Sequence, residues 1–374
     1  MQVEIITDRE RWNRFVEGCP SGNVTQTFEW GELGDALGGD VLRLGAVDDG
    51  ELCGAMVCIA ARAPVLRRPY LYVPRGPIVD DPAGPALAAL VARAGEEARK
   101  RGAFMLKVEP SVAAGDERWL EALRTLGFRR NRFATHPRRS WVVDIRPSED
   151  EILAGMKEKW RYNIRLAGRK GVQVREGTAP ADVDTFYALY EETAARDGFF
   201  IHGKRHYADI VRLYGEREAA VLLLAEYEGT AIAGLIAVRC GPVTTYMFGA
   251  SSNLHRNRMP NHLLQWTAIR WARAHGCTLY DFRAIAESLD PSEDLYSLYT
   301  YKQGFGGYSV LAIETHDLAY NLPVYWAYER LLAVKRARDR RQHERALRER
   351  HGGERTAEPA TGTVGGTNAS NVPA

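Results

Sequence analysis

The chain has 374 residues, 45% hydrophobic and 26% charged, with a formal net charge of +2. That length accommodates two domains, each with its own core, and the near-zero charge argues against a general nucleic-acid coat protein while leaving room for one local basic patch. No apolar run reaches the ~18 residues a membrane span needs, and the N-terminal stretch MQVEIITDRERW is too acidic and polar for a signal peptide. A cytoplasmic protein is expected. The five cysteines are scattered and odd in number. No Cys/His cluster has zinc spacing, so no metal is expected, and His202, His206, His255 and His262 receive no role.

In chain order, TQTFEWGEL (Thr25 to Leu33) comes first, carrying Trp30. LGAVDDGELCGAMVCIA, near residue 45, reads as strand, turn at an acid–glycine pair, strand, which is a β-hairpin pattern. ARKRGAFMLKVEP reads as a helix end, a glycine just past it and a strand, and LRTLGFRR follows. The next feature is MKEKWRYNIRLAGRKGV, residues 156 to 172, with six Lys or Arg against one acid, Glu158. Ile152, Met156, Trp160, Ile164 and Ala167 recur at helical spacing and form an apolar face. Lys157, Arg161, Arg165 and Arg169 are each four apart and form a basic stripe beside it. Like charges at that spacing cost roughly 0.2–0.5 kcal/mol per pair. Two readings stand: a face that is solvated or paired with acids from elsewhere, or one that contacts a polyanion, where phosphate contacts give affinity without sequence choice.

The second half repeats the first. LAEYEGTAIAGLIAVRC is another hairpin, ARAHGCTLYDFRA another helix end, glycine and strand, and YTYKQGFGG another Gly-Phe. Gly50 and Gly229 lie 179 apart, Gly102 and Gly276 174 apart, and Gly127 and Gly304 177 apart. Three landmarks in one order at nearly one offset point to duplication. NLPVYWAYERLLAVKRARDRRQHERALRER then predicts a long helix, with Tyr325, Tyr328, Leu331 and Leu332 ahead of a strongly basic half, packing back on the first domain with its far end solvated. The tail from about Gly352, rich in Gly, Thr, Ala and Pro, is expected to be disordered.

The element order in each copy resembles the GNAT N-acyltransferase fold. The expected class is therefore α/β, with mixed sheets in two tandem GNAT-like domains plus a C-terminal basic helix. The first domain spans 1–146 and is completed by the helix at about 318–350; the second spans 147–317, and 351–374 is tail. A working GNAT domain binds the coenzyme A pyrophosphate on a glycine-rich turn at a helix N-terminus. Here RNRMPNHLLQW, Arg256 to Trp266, has no glycine, and Pro260 lacks an N–H. DDPAGPALAAL in the first copy is acidic and proline-rich. Neither suits a pyrophosphate.

Four stretches in order are similar to the FemABX family of tRNA-dependent peptidoglycan peptidyltransferases. TQTFEWGEL resembles the family's Gln-Ser-x-x-Trp segment, LKVEP its Lys-x-Asp/Glu-Pro, MKEKWRYNIRLAGRKGV its basic entry to the second domain, and YKQGFGG its Phe-Lys-x-x-Phe-Gly. The resemblance runs to about residue 335, without room for the helical arm some members carry. It implies transfer of an amino acid from aminoacyl-tRNA to the side-chain amine of a peptidoglycan precursor peptide, forming an interpeptide bridge, with aminoacyl-tRNA as co-substrate and no other cofactor. An aminoacyl ester is already activated, so the enzyme needs orientation, a proton acceptor and a cationic or N–H donor for the developing oxyanion. The resemblance makes Lys302 the catalytic cation and Glu109 the carboxylate, the latter with a strand-end salt bridge to Lys107 as its alternative reading. It places Tyr301 at the tRNA acceptor end, and Trp30, Arg196, Asp197, Tyr207 and Tyr246 at the substrate. On the polyanion reading, aminoacyl-tRNA or a substrate diphosphate fits Lys157, Arg161, Arg165 and Arg169. GELGDALGG lacks the phosphate-binding lysine that some relatives place after the tryptophan, which favours a lipid-linked precursor and transient contact with the inner membrane face. Two other readings stay open: a coenzyme A-dependent N-acyltransferase, and a non-catalytic module binding anionic precursor or tRNA.

Overall fold

The computed structural model of the protein describes residues 1–36, 38–131, 135–291, 293 and 295–355. The first lobe opens with β1 (Gln2–Ile5), α1 (Arg9–Gly18) and α2 (Phe28–Ala36). It continues with β2 (Asp40–Asp48), β3 (Glu51–Arg62), β4 (Pro69–Val73), β5 (Ile78–Val79), α3 (Pro85–Arg101), β6 (Met105–Val108), α4 (Glu117–Thr125) and β7 (Arg129–Asn131). A connecting segment follows: β8 (Arg139–Asp144), α5 (Glu149–Gly155) and α6 (Glu158–Arg169). Apart from β5, the second lobe repeats the order of the first. It runs β9 (Gln173–Glu176), α7 (Pro180–Asp197), α8 (Lys204–Gly215), β10 (Ala220–Tyr227), β11 (Thr230–Cys240), β12 (Val243–Ser251), α9 (Pro260–Ala274), β13 (Leu279–Ala284), α10 (Tyr296–Lys302) and β14 (Tyr308–Leu311). β15 (Thr315–Ala319) and α11 (Leu322–Arg355) close the described chain.

The glycine landmarks fall where the duplication requires. Asp49-Gly50 and Glu228-Gly229 turn the β2–β3 and β10–β11 hairpins, and all four residues have φ between 49° and 85°. Two left-handed residues in a two-residue turn match the right-handed twist of the flanking strands. Gly102 at φ 62° ends α3, and Gly276 at φ 74° follows α9.

Sheet one has the order β1-β2-β3-β4-β6-β15-β7, with β5 paired to β3; sheet two has the order β14-β8-β13-β12-β11-β10-β9. Read from the edge strands β1 and β9, the two sheets are the same design, with one difference of origin. The strand that follows β7 in the chain, β8, pairs with β13 and β14 of the second lobe. The strand that follows β14, β15, pairs with β6 and β7 of the first. Each copy thus gives its last strand to the other copy's sheet. Strand membership therefore divides the chain differently from a cut at residues 146 and 317: residues 139–144 join the second lobe and 315–319 the first. Backbone pairing decides this, and the local sequence of a strand does not say which sheet receives it.

The lobes share a core. Trp12, Val16, Val57 and Ile78 of the first lobe pack in one buried cluster with Phe186, Tyr207, Tyr214, Leu222 and Ile236 of the second. Polar contacts at the same boundary are satisfied: Tyr214 and Thr27 share a hydroxyl–hydroxyl hydrogen bond of 2.7 Å, and Arg217 pairs with Glu29 at 3.1 Å. A second cluster lies between sheet two and α5, α6 and α9, and a third between sheet one and α3 and α4. α11 forms a separate compact unit with residues 63–67. It carries Pro323 in its first turn, where a missing N–H costs nothing. No described helix is long and apolar enough to cross a membrane. The expected disordered tail lies, for 356–374, outside the described residues; 351–355 continue α11.

Candidate active site

A cleft of about 450 Å³ opens between the lobes, within the size range of ligand sites. Arg75, just past β4, lines it from the first lobe; Asp281 and Arg283 line it from β13. The sequence LYDFRA explains the second wall. Tyr280 and Phe282 are fully buried in the α5–α6–α9 cluster, and the charged residues between and beyond them are left for the other face. Pairing between β13 and β8 breaks register between Asp281 and Ala284, and Arg283 takes a left-handed φ of 60°. Arg75 is left-handed too, at 52°. Such strain in non-glycine residues is held by surrounding structure and concentrates at functional sites.

The charges around the cleft are unbalanced. The Asp281 carboxylate accepts the Arg283 backbone N–H at 2.6 Å. Burial pushes its carboxyl up, opposed by that N–H and by the Arg283, Arg75 and Lys302 cations. Burial pulls the Arg283 guanidinium down, with Asp281 opposing and Arg75 reinforcing. Among the described residues the Arg283 side chain makes one hydrogen bond, to the Met247 sulfur at 3.5 Å. Arg75 donates to the Pro137 carbonyl. Lys302 is 5% exposed at the end of α10 and donates to the Ala284 carbonyl at 2.6 Å. Burial lowers its ammonium to about 8, with the Asp281 carboxylate opposing and Arg283 reinforcing. Among the described residues none of these four groups makes an ion pair within 4.0 Å. Three cations thus act on one carboxylate without a close ion pair, in surroundings that ordinarily pair buried charges.

YKQGFGG places Lys302. A Cβ on Gly304 would sit 2.1 Å from the Trp160 ring, so only glycine allows α10 to end against α6. The Lys157 N–H donates to the Gly304 carbonyl at 2.9 Å, joining this turn to the start of α6. Tyr301 is held in the same cluster. Its hydroxyl donates to the Asn261 carbonyl at 3.1 Å, and its ring packs against His262 and Phe305 at 5.4 and 5.3 Å. Its faces are engaged within the protein rather than offered as a stacking platform. Tyr246 packs edge-on to Phe282, and burial pushes its hydroxyl up to about 12, with Gln265 opposing.

The apolar periodicity from Ile152 to Ala167 spans two helices, and the basic segment is the second. Met156 and Lys157 are extended (ψ 155° and 143°), ending α5 and starting α6. Arg161 is committed to this break, donating to the Ala154 and Met156 carbonyls at the end of α5. Lys157, Arg165 and Arg169 are exposed. Lys157 lies over the Trp160 ring and Arg169 over the Tyr162 ring, at 5.8 and 5.5 Å. The stripe is a solvent-facing cationic ridge of three residues, with Arg161 serving structure.

Glu109 stands apart, on the first sheet. Its carboxylate accepts from the Tyr72 hydroxyl (2.6 Å), the Thr135 N–H (2.6 Å) and the Thr315 hydroxyl (2.9 Å), and His136 lies at 3.1 Å. Burial alone would raise its carboxyl, but the hydrogen bonds from His136 and Tyr72, with that from Thr135, hold it at about 2. A carboxylate so fully engaged is a weak proton acceptor. The salt bridge with Lys107 is not formed: Lys107 pairs with Asp317 at 2.8 Å, on β15.

The remaining sequence candidates lie elsewhere. Arg196 donates to the Ser251 carbonyl at 2.9 Å and to Asp197 at 2.9 Å, tying α7 to the end of β12. Tyr207 is 1% exposed in the interlobe core and accepts the His202 N–H at 3.0 Å. Trp30 is half-buried against the same core. Sequence reasoning missed Arg75, Asp281 and Arg283. A usable signal existed for two of them: LYDFRA alternates aromatic and charged residues where a strand was already predicted.

The turn before α9 is closed to a pyrophosphate. Arg258 donates to the Lys170 carbonyl at 2.7 Å and lies 3.4 Å over the Tyr227 ring, while Lys170 donates to the Asn257 carbonyl at 3.0 Å. Met259 and Pro260 occupy the positions where free N–H groups would be needed.

Comparison with known proteins agrees with this architecture. The FemAB family matches residues 7–119, and the acetyltransferase (GNAT) domain family matches residues 154–303. A lipid II:glycine glycyltransferase of Staphylococcus aureus (strain MRSA252) is 26% identical over 406 aligned positions, covering 88% of this chain and 96% of the relative. The crystal structure of FemX matches with a TM-score of 0.80 at 25% identity, over 88% of this chain and 100% of that one. A tandem GNAT protein from the clavulanic acid biosynthesis pathway shares the fold, with a TM-score of 0.53 at 16% identity over 85% of this chain and 98% of that one. With two tandem GNAT-like domains, these relatives and a turn that does not suit a pyrophosphate, the chain is similar in sequence and fold to the FemABX family.

Proposed function

We propose that the protein transfers an amino acid from aminoacyl-tRNA to the side-chain amine of a peptidoglycan precursor stem peptide, by direct aminolysis of the tRNA ester. The observation that carries this reading is Lys302, a buried ammonium held at about 8 that donates to the carbonyl of Ala284, a residue of the cleft wall. The amine nitrogen forms a bond to the ester carbonyl carbon, and the bond from that carbon to the ribose oxygen breaks. Of the two protons the ammonium loses, one goes to the leaving ribose oxygen and one to solvent. The carbonyl oxygen carries negative charge in between, and Lys302 is the cationic donor that stabilises it. Lys157, Arg165 and Arg169 supply the phosphate contacts for tRNA. The acceptor is lipid-linked, as the names of the glycyltransferase relatives suggest for those proteins, so the enzyme works at the inner membrane face.

The test is single-turnover transfer from radiolabelled, mixed aminoacyl-tRNA to a lipid-linked pentapeptide, with Lys302→Ala alongside. Label in the precursor, reduced about 10²–10³-fold in the variant, supports the reading. Absence of label from every charged tRNA, together with binding of acetyl-coenzyme A, would sink it.

A further inference from the structure

The cleft holds more charge than oxyanion stabilisation requires. Arg75 and Arg283 come from different lobes, both in left-handed backbone, and both line the same 450 Å³ space. Their guanidiniums influence each other and the Asp281 carboxylate of the same cleft, yet none is ion-paired among the described residues. Two forked donors without an anion make a carboxylate site, because a guanidinium presents paired N–H groups that match two carboxylate oxygens. One carboxylate beside them makes an ammonium site. The three together are complementary to the head group of a free amino acid, with ammonium and carboxylate on one carbon. Lys302 donates to the carbonyl of Ala284, which follows Arg283 in the chain and lines the same cleft, so this head group sits beside the proposed reaction centre.

We propose that Arg75, Arg283 and Asp281 select an acceptor whose reacting amine stands on a carbon bearing a carboxylate: a diaminodicarboxylic acid in the stem peptide rather than lysine. The inference rests on the transfer reaction proposed above. Arg75 and Arg283 clamp the carboxylate, and Asp281 takes the ammonium and orients it toward the ester. A lysine side chain reaches the same place with a bare CH₂ and leaves both guanidiniums unmatched, a mismatch that binding sites built on polar contacts penalise strongly.

The experiment compares two lipid-linked pentapeptides that differ only in this carboxylate, using wild type, Arg283→Gln and Arg75→Gln. Wild type is expected to prefer the carboxylated acceptor by about 10- to 100-fold in kcat/KM, and each variant to bring the ratio near unity. The two variants lie in different lobes, so a folding defect in one leaves the other informative. The ratio itself is insensitive to the fraction of enzyme folded. A wild-type ratio near one, or a preference unchanged in both variants, overturns the proposal while leaving the transfer reaction standing. Should neither acceptor receive an amino acid, the reading of the activity fails. Calorimetric binding of the two soluble pentapeptides then decides the clamp separately: a carboxylate preference lost in Arg283→Gln upholds it, and equal binding by wild type refutes it.

Discussion

Lys302 and Glu109 are both catalytic candidates on sequence grounds, Glu109 with a structural alternative, and they part company in their surroundings. Lys302 lies in a dry, cation-rich corner and is held at about 8; Glu109 lies in a ring of donors and is held at about 2. If the protonated lysine is what the reaction uses, activity has a descending limb. The slope of log kcat/KM against pH should fall by one unit near pH 8, and Lys302→Arg should move that limb upward because a guanidinium stays charged. An unchanged limb in that variant would assign it to another group. For Glu109 the sign runs the other way. A folded carboxyl held below its ordinary value adds stability that is fully present above about pH 4.5 and disappears as pH falls through about 2. Glu109→Gln should therefore lower unfolding stability near neutral pH by about 2–4 kcal/mol, with a much smaller penalty in acid, as read by denaturant titration at two pH values. Neither environment was legible in the sequence. LKVEP shows a carboxylate at a strand end, but Tyr72, Thr135 and Thr315 reach it from sequence separations of 26 to 206 residues.

Elements were the most readable scale. Hairpins, helix-ending glycines and the amphipathic basic segment all follow from local pattern, and the structure places each near its predicted position. The exception is the break at Met156, because helical periodicity continues smoothly through a step that only the Lys157–Gly304 contact makes necessary. The glycine at 304 also differs in kind from its counterpart at 127. Gly127 has a left-handed φ of 84°, whereas Gly304 is needed for the face of an indole. Gly304→Ala should cost about 1–3 kcal/mol through overpacking and displace Lys302 with it, so melting temperature and activity should fall together. Retained stability and full activity would show that α6 has room to retreat. On the exposed ridge, Arg165→Gln should weaken tRNA binding and reduce the slope of log K against log salt by about one. Arg161→Gln, whose guanidinium caps α5, should instead lower stability.

At the scale of the whole molecule the duplication was visible but the exchange of strands was not, since a six-residue pattern such as β8 is satisfied equally by either sheet. Shared burial follows from that exchange and from the cluster around Trp12, Phe186 and Tyr214. The lobes should unfold in one transition, with fluorescence and circular dichroism coinciding. Arg217→Met leaves the fully buried Glu29 without its partner from the other lobe, and should lower the single midpoint by about 2–4 kcal/mol rather than split it in two. The crossing of β15 into sheet one has a further consequence, one of timing. During synthesis the first lobe emerges with a gap between β6 and β7, which only residues 315–319 fill. Its two strand edges stay unpaired while some two hundred more residues are made. A ribosome stalled before Thr315 therefore holds an N-terminal half that is chemically complete and structurally unfinished, and nascent-chain proteolysis should find it cleavable until β15 arrives.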